Sequence, residues 1–119
     1  MEAAKKFNQT RKLPRRKFTH KVGLLYKGKY VMAQGRQIGE KGILLEPGLT
    51  LEPEQLVLIS FAVMNAKIII VRAKILYKTV DSSGKDIFGF EFINLPFTDR
   101  RIIREYIAEK TETEAQLDV

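Results

Sequence analysis

Three arginines crowd into one short basic segment, Arg11-Lys12-Leu13-Pro14-Arg15-Arg16-Lys17, in which Arg11 and Arg15 stand four residues apart. A guanidinium is a planar fork of donors that pairs with phosphate, pairs with the O6/N7 edge of guanine, or stacks on a purine face. Pro14 forbids a stable helix here, because proline lacks a backbone donor and clashes with the preceding turn. Leu13 before it is pushed toward extended geometry. The arginines therefore sit on an extended, adjustable segment suited to wrapping an anionic ligand. Farther on, a glycine-bearing turn, Gln37-Ile38-Gly39-Glu40-Lys41-Gly42, offers an amide side chain and open backbone beside it.

Other candidate chemistries fall away. His20 is the only histidine and there is no cysteine, so no His/Cys metal set and no thiol nucleophile can form. At alternate spacing with Val22 and Leu24, His20 reads as a half-buried strand residue. Asp81, Asp86 and Glu91 lack a partnered base or nucleophile, and acids at such positions form turns. Gly35, Gly39 and Gly42 are not a phosphate loop, since no Gly-Lys-Ser/Thr follows and a strand comes next. No catalytic site emerges.

The charge is lopsided. Residues 1–41 hold twelve Lys/Arg against two acids, Glu2 and Glu40, whereas residues 42–119 hold nine against twelve. The overall charge of +7 is thus concentrated at one end, which points to a polyanion, a phosphate-bearing ligand or an acidic protein surface. The absence of cysteine is compatible with a reducing cytoplasm, and no signal-like apolar region opens the chain. The longest apolar runs, 56–64 and 68–71, are too short to span a bilayer as helices.

These groups must be held by a scaffold, and its pattern is mostly strand. With 119 residues the chain suits one domain. Residues 1–10 read as a flexible arm with Phe7 as its one aromatic. Phe18, His20, Val22, Leu24 and Tyr26 alternate, Lys27-Gly28-Lys29 turns the chain, and 30–33 resumes the extended pattern, predicting a hairpin. Gly35 and Gly39 interrupt the second strand, and 42–46 restarts it. After Pro47-Gly48, a weak segment 49–51 and Pro53, the runs 55–64 and 67–78 are too rich in β-branched residues for helix. Asn65-Ala66 joins them, and Asp81–Asp86 forms a polar turn. In 87–93, Phe88, Phe90 and Phe92 share one side. Then the period changes: Ile102, Ile103, Tyr106 and Ile107 predict a helix capped by Thr98 or Asp99. Residues 109–119 read as an acidic tail. About six short strands and one late helix imply an antiparallel barrel or a sandwich.

In this order the parts resemble the PilZ domain family, over residues 11–108. Its RxxxR element appears as Arg11-Lys12-Leu13-Pro14-Arg15, and its [DN]xSxxG turn falls on Gln37–Gly42. The Pro47-Gly48 turn, Gly89-Phe90-Glu91-Phe92 in the last strand and the segment 99–106 are similar too. The resemblance implies an all-β fold, a six-stranded antiparallel β-barrel with a C-terminal α-helix. It further implies a non-enzymatic, cytoplasmic, bacterial receptor for cyclic di-GMP with no cofactor of its own, signalling to an unidentified effector protein. By the same resemblance Arg11, Arg15 and Arg16 grip the ligand from a loop that orders on binding, and Gln37, Gly39 and Gly42 form the second half of the site.

The chain departs from the family pattern at two of three turn positions: Gln37 stands for the acid or Asn, and Gly39 for the Ser. The alternative reading is therefore a degenerate domain that binds no nucleotide and acts as a protein–protein adaptor. A second register, Arg16-Lys17-Phe18-Thr19-His20, also resembles the first motif but consumes most of the first strand. Nucleic-acid binding is a third reading, weakened because the strands do not interleave aromatics with Lys/Arg.

Overall fold

The computed structural model describes residues 14–64 and 67–117, with side chains as far as Glu109. Among the described residues, seven strands and a helix follow one another: β1 (Arg15–Lys17), β2 (Lys21–Tyr26), β3 (Lys29–Gly39), β4 (Gly42–Glu46), β5 (Leu56–Val63), β6 (Lys67–Val80), β7 (Asp86–Ile93) and α1 (Phe97–Leu117). All pairings are antiparallel, in the order β1-β3-β2-β5-β6-β7-β4, and a further β3–β4 ladder closes a six-stranded barrel. The antiparallel barrel, rather than a sandwich, is thus the architecture. Closure removes free edges, which would otherwise invite pairing with other chains.

Alternation builds the core. Val22, Leu24 and Tyr26 of β2 face inward, as do Val57, Ile59, Phe61 and Val63 of β5 and Phe88, Phe90 and Phe92 of β7. The β2–β3 turn is made at Lys27 and Gly28, with φ of 50° and 79°, the left-handed pair that a two-residue hairpin requires. Helix α1 closes one end of the barrel with Ile103, Tyr106 and Ile107, and Phe18 packs edge-on against both Phe61 and Tyr106.

Several local expectations are corrected. Arg15–Lys17 is a strand, because its backbone adds a short ladder to β3. His20 is exposed on a bend, not half-buried in a strand, since the inward position is taken by Phe18 and β2 begins only at Lys21. The segment 49–51 forms no strand, although Leu51 is buried. Helix α1 starts at Phe97 after Pro96, whose carbonyl accepts from Arg100 N–H at 2.9 Å. Thr98 and Asp99 therefore lie inside the first turn, where Asp99 complements the helix dipole instead of capping. The helical backbone continues to Leu117, beyond the last apolar position that marks it in the sequence. Residues 1–10 and the Asn65-Ala66 connection lie outside the described residues.

Candidate functional site

The ladder between β1 and β3 brings the two singled-out segments side by side. Arg15 pairs with Gly39, Arg16 with Ile38 and Lys17 with Gln37. Because successive side chains on a strand alternate faces, Arg15, Lys17, Gln37 and Gly39 share one face, and Arg16 shares the other with the buried Ile38. On the first face, Arg15 Nη1 donates to Gln37 Oε1 at 3.4 Å. Both side chains are half-buried, as is Gly39, which adds no side chain opposite Arg15. A Cβ placed on Gly39 would stand 3.5 Å from Arg15 Cγ and 3.5 Å from the Pro14 carbonyl oxygen, ordinary contact distances.

Arg16 is engaged by the helix. Its guanidinium carbon lies 3.7 Å from the centroid of the Tyr106 ring, and its Nη1 donates to the Tyr106 carbonyl at 2.8 Å. The Tyr106 hydroxyl donates back to the Lys17 carbonyl at 3.5 Å. One face and one donor of the guanidinium are thus taken up by the helix.

The turn between β3 and β4 is also tied to α1. Glu40 accepts from Arg104 at 3.0 and 3.2 Å in a two-toothed pair, and the Glu40 side chain is only 15% exposed. The one acid in this turn is therefore paired with the helix. Gly42 serves packing: a Cβ there would collide with the Phe90 carbonyl oxygen of β7. The open space expected at Gly42 for a ligand is occupied by backbone.

A brace holds the far side of β3. A bulge between Gly35 and Gln37 turns Arg36 aside, so that its Nη2 reaches Glu46 at 2.6 Å and Asp81 at 2.8 Å. Asp81 also accepts from Lys85 N–H, Ser83 Oγ and Ser83 N–H. The Lys85 N–H and the Ser83 hydroxyl, with Arg36 adding to them, hold the Asp81 carboxyl well below the usual carboxylate range. The bulge restores the phase that sets Gln37 opposite both Lys17 and Leu44.

Of the expected site residues, Arg15, Gln37 and Gly39 meet on one surface. Arg16 lies on the opposite face of the same strand, Gly42 is under β7, and Arg11 lies outside the described residues. The hold of Tyr106 on Arg16 and of Arg104 on Glu40 was not foreseen from the sequence. The partners stand 90 and 64 residues apart, a distance no local pattern spans. The described residues contain no group of three or more His, Cys, Asp or Glu able to hold a metal ion. The face thus presents a guanidinium, an ammonium and a side-chain amide on one strand pair.

A family model described as PilZ domain matches residues 9–109. No curated protein matches the chain in sequence. Among solved structures, the Bacillus subtilis inhibitor of motility (MotI/DgrA) is similar with a TM-score of 0.77 and 15% identity, covering 87% of this chain and 51% of that one. The PilZ domain of YcgR from Escherichia coli, solved with c-di-GMP, gives 0.65 and 13%, covering 91% and 97%. PlzA of Borreliella burgdorferi, in complex with c-di-GMP, gives 0.61 and 14%, covering 88% and 44%. The chain thus spans about half the length of MotI/DgrA and nearly all of the isolated YcgR domain.

Proposed function

The chain belongs to the PilZ domain family, and from that premise we propose that it is a binding domain for cyclic di-GMP, with Arg15, Gln37 and Gly39 at the centre of the site. One observation carries the reading: Arg15 and Gln37 touch across the β1–β3 ladder, 22 residues apart in sequence, with the side-chain-free Gly39 on the same face. The ligand has two phosphates and two guanines. Arg15 supplies a charged planar fork for phosphate or the guanine edge, and the Gln37 amide oxygen can accept from guanine N–H groups. Relatives of the same fold, YcgR and PlzA, hold c-di-GMP in their structures, which supports the assignment.

The expected affinity is modest. Gln37 reaches with one methylene more than Asn and loses more rotamer freedom on binding. Gly39 offers no hydroxyl, and one missing hydrogen bond costs about 0.5–1.5 kcal/mol, up to roughly tenfold in affinity.

Signalling would run through the N-terminal segment. Arg11, ahead of Pro14, folds over the bound nucleotide, while β1 stays clipped to β3. Helix α1 is the second route, because it holds both halves of the site through Tyr106 and Arg104. A nucleotide that draws on Arg16 competes with the Tyr106 carbonyl for the same guanidinium.

The adaptor reading is favoured by a different observation, the loss of both the Asp/Asn and the Ser of the second motif. Titration with cyclic di-GMP separates the two. Saturable binding that disappears in Arg15→Ala supports the receptor; no binding by the intact protein at high micromolar nucleotide leaves the adaptor.

A further inference from the structure

The barrel wall is two-sided in charge. Strands β2, β5 and β6 are neighbours in the ring and contain no Asp or Glu, yet they carry Lys21, Lys67, Arg72, Lys74 and Lys78. The acids of the wall, Glu46, Asp86 and Glu91, stand on β4 and β7. Of those five cations, only Lys74 forms an ion pair among the described residues, with Glu54 at 3.0 Å.

The same three strands carry aliphatic side chains on their outer side. Ile68 is 69% exposed, Ile70 60% and Leu56 55%, and Leu25 and Leu58 are exposed as well. The β5–β6 ladder sets Ile68 beside Ala62 and Ile70 beside Ser60, so both isoleucines stand clear of small neighbours. The next outward pairs are Leu58 with Arg72 and Leu56 with Lys74, each an aliphatic chain beside a cation. Leu25 continues the row of Leu58 and Arg72 onto β2. Tyr30 leans from β3 across Gly23, where a Cβ would collide with its hydroxyl.

Three adjoining strands of a closed barrel make a convex ridge along β5, not a plane. A convex ridge touches a rigid flat partner only along a strip, whereas lipid headgroups close round it. In a bilayer interface, apolar side chains sink to the acyl boundary while Lys and Arg reach back to the phosphates. Exposed isoleucines and leucines have no comparable use on a nucleic acid, which is held through its phosphates and bases.

We propose that this ridge docks on the surface of an anionic phospholipid bilayer. Ile68 and Ile70 insert, and Lys21, Lys67 and Arg72 meet the lipid phosphates. Lys74, already held by Glu54, adds little. Tyr30 sits at headgroup level, which favours an aromatic ring with one polar end. In the six-stranded ring β5 lies across from β4, so docking leaves the β3–β4 turn and its neighbouring Arg15 and Gln37 open to water. The docking does not rest on nucleotide binding.

Co-sedimentation of the full chain with vesicles of phosphatidylglycerol and phosphatidylcholine in equal parts tests it. Partitioning should be at least about tenfold stronger than on phosphatidylcholine alone and should fall as salt is raised. Ile68→Thr with Ile70→Thr keeps the charge and the β-branching at two exposed positions, so the melting curve should hold. Partitioning of that variant should weaken at least about tenfold. Arg72→Gln should weaken it about fivefold. The chain has no tryptophan, so Ile70→Trp supplies a single reporter whose emission should shift to the blue on the anionic vesicles. Absence of partitioning on anionic vesicles, or partitioning indifferent to the paired threonine changes, would overturn the proposal. So would a blue shift produced by polyglutamate or by raising the protein concentration, but not by vesicles, which would give the ridge to an acidic protein or to a second copy.

Discussion

Arg16 lies over the ring of Tyr106, its guanidinium carbon 3.7 Å from the ring centroid, and so fastens β1 to α1. Tyr106 also packs edge-on against Phe18 at 5.9 Å and covers one end of the core. Replacing it with Ala removes the cation–π contact and leaves a cavity, and should cost about 3–5 kcal/mol. Tyr106→Phe keeps the ring and forfeits only the long bond to the Lys17 carbonyl, so the loss should stay below about 1 kcal/mol. Urea unfolding at unchanged m-value checks both.

Gly42 and Gly39 belong to the same turn yet should respond oppositely. Gly42→Ala drives a methyl into the Phe90 carbonyl, a backbone atom held in the β4–β7 ladder, and overpacking of this kind costs about 1–3 kcal/mol or more. Gly39→Ala meets only Arg15 Cγ and the Pro14 carbonyl at 3.5 Å and should leave stability within about 0.5 kcal/mol. Thermal melts of the two variants side by side decide the matter.

The bonds to Asp81 predict an acid-sensitive brace. Its folded pKa lies below the unfolded value of about 3.9, so the folded state binds fewer protons than the unfolded state in this range. The stability it contributes is fully present above about pH 5 and is lost as pH falls through and below pH 4. Glu46, lowered by Arg36, acts in the same direction. Asp81→Asn should lower stability at neutral pH and flatten the decline between about pH 5 and 2.5, as seen in urea titrations at each pH.

Much of the barrel was legible because alternation is a local signal. The spacing of Val22, Leu24 and Tyr26, the three phenylalanines of β7 and the helical period of 102–107 each report which side faces the core. Strand β1 was not legible, because three basic residues after a proline carry no apolar period and are held only by the ladder to β3. The run Ile68-Ile69-Ile70-Val71 shows no alternation in sequence, yet Ile69 and Val71 point inward and Ile68 and Ile70 outward. Composition cannot separate a core strand from one with a sticky exterior. At the site, the meeting of Arg15 with Gln37 was anticipated only through the order of motifs. The hold of α1 on Arg16 and Glu40 needed the fold.

If the second motif limits affinity, restoring it should tighten binding. Gln37→Asn with Gly39→Ser shortens the amide stem and adds a hydroxyl at a position with room for a Cβ. The double variant should bind cyclic di-GMP about tenfold more tightly than the parent, as read by fluorescence competition. Equal affinity would mean that neither position contacts the nucleotide.

Isothermal titration of cyclic di-GMP into the intact chain and into Arg15→Ala tests the central claim most directly. Saturable heat with the intact chain, weakened at least about tenfold in the Arg15→Ala protein while its melting temperature is kept, is the predicted result. Absence of binding by the intact chain, or equal binding by both proteins, would contradict it.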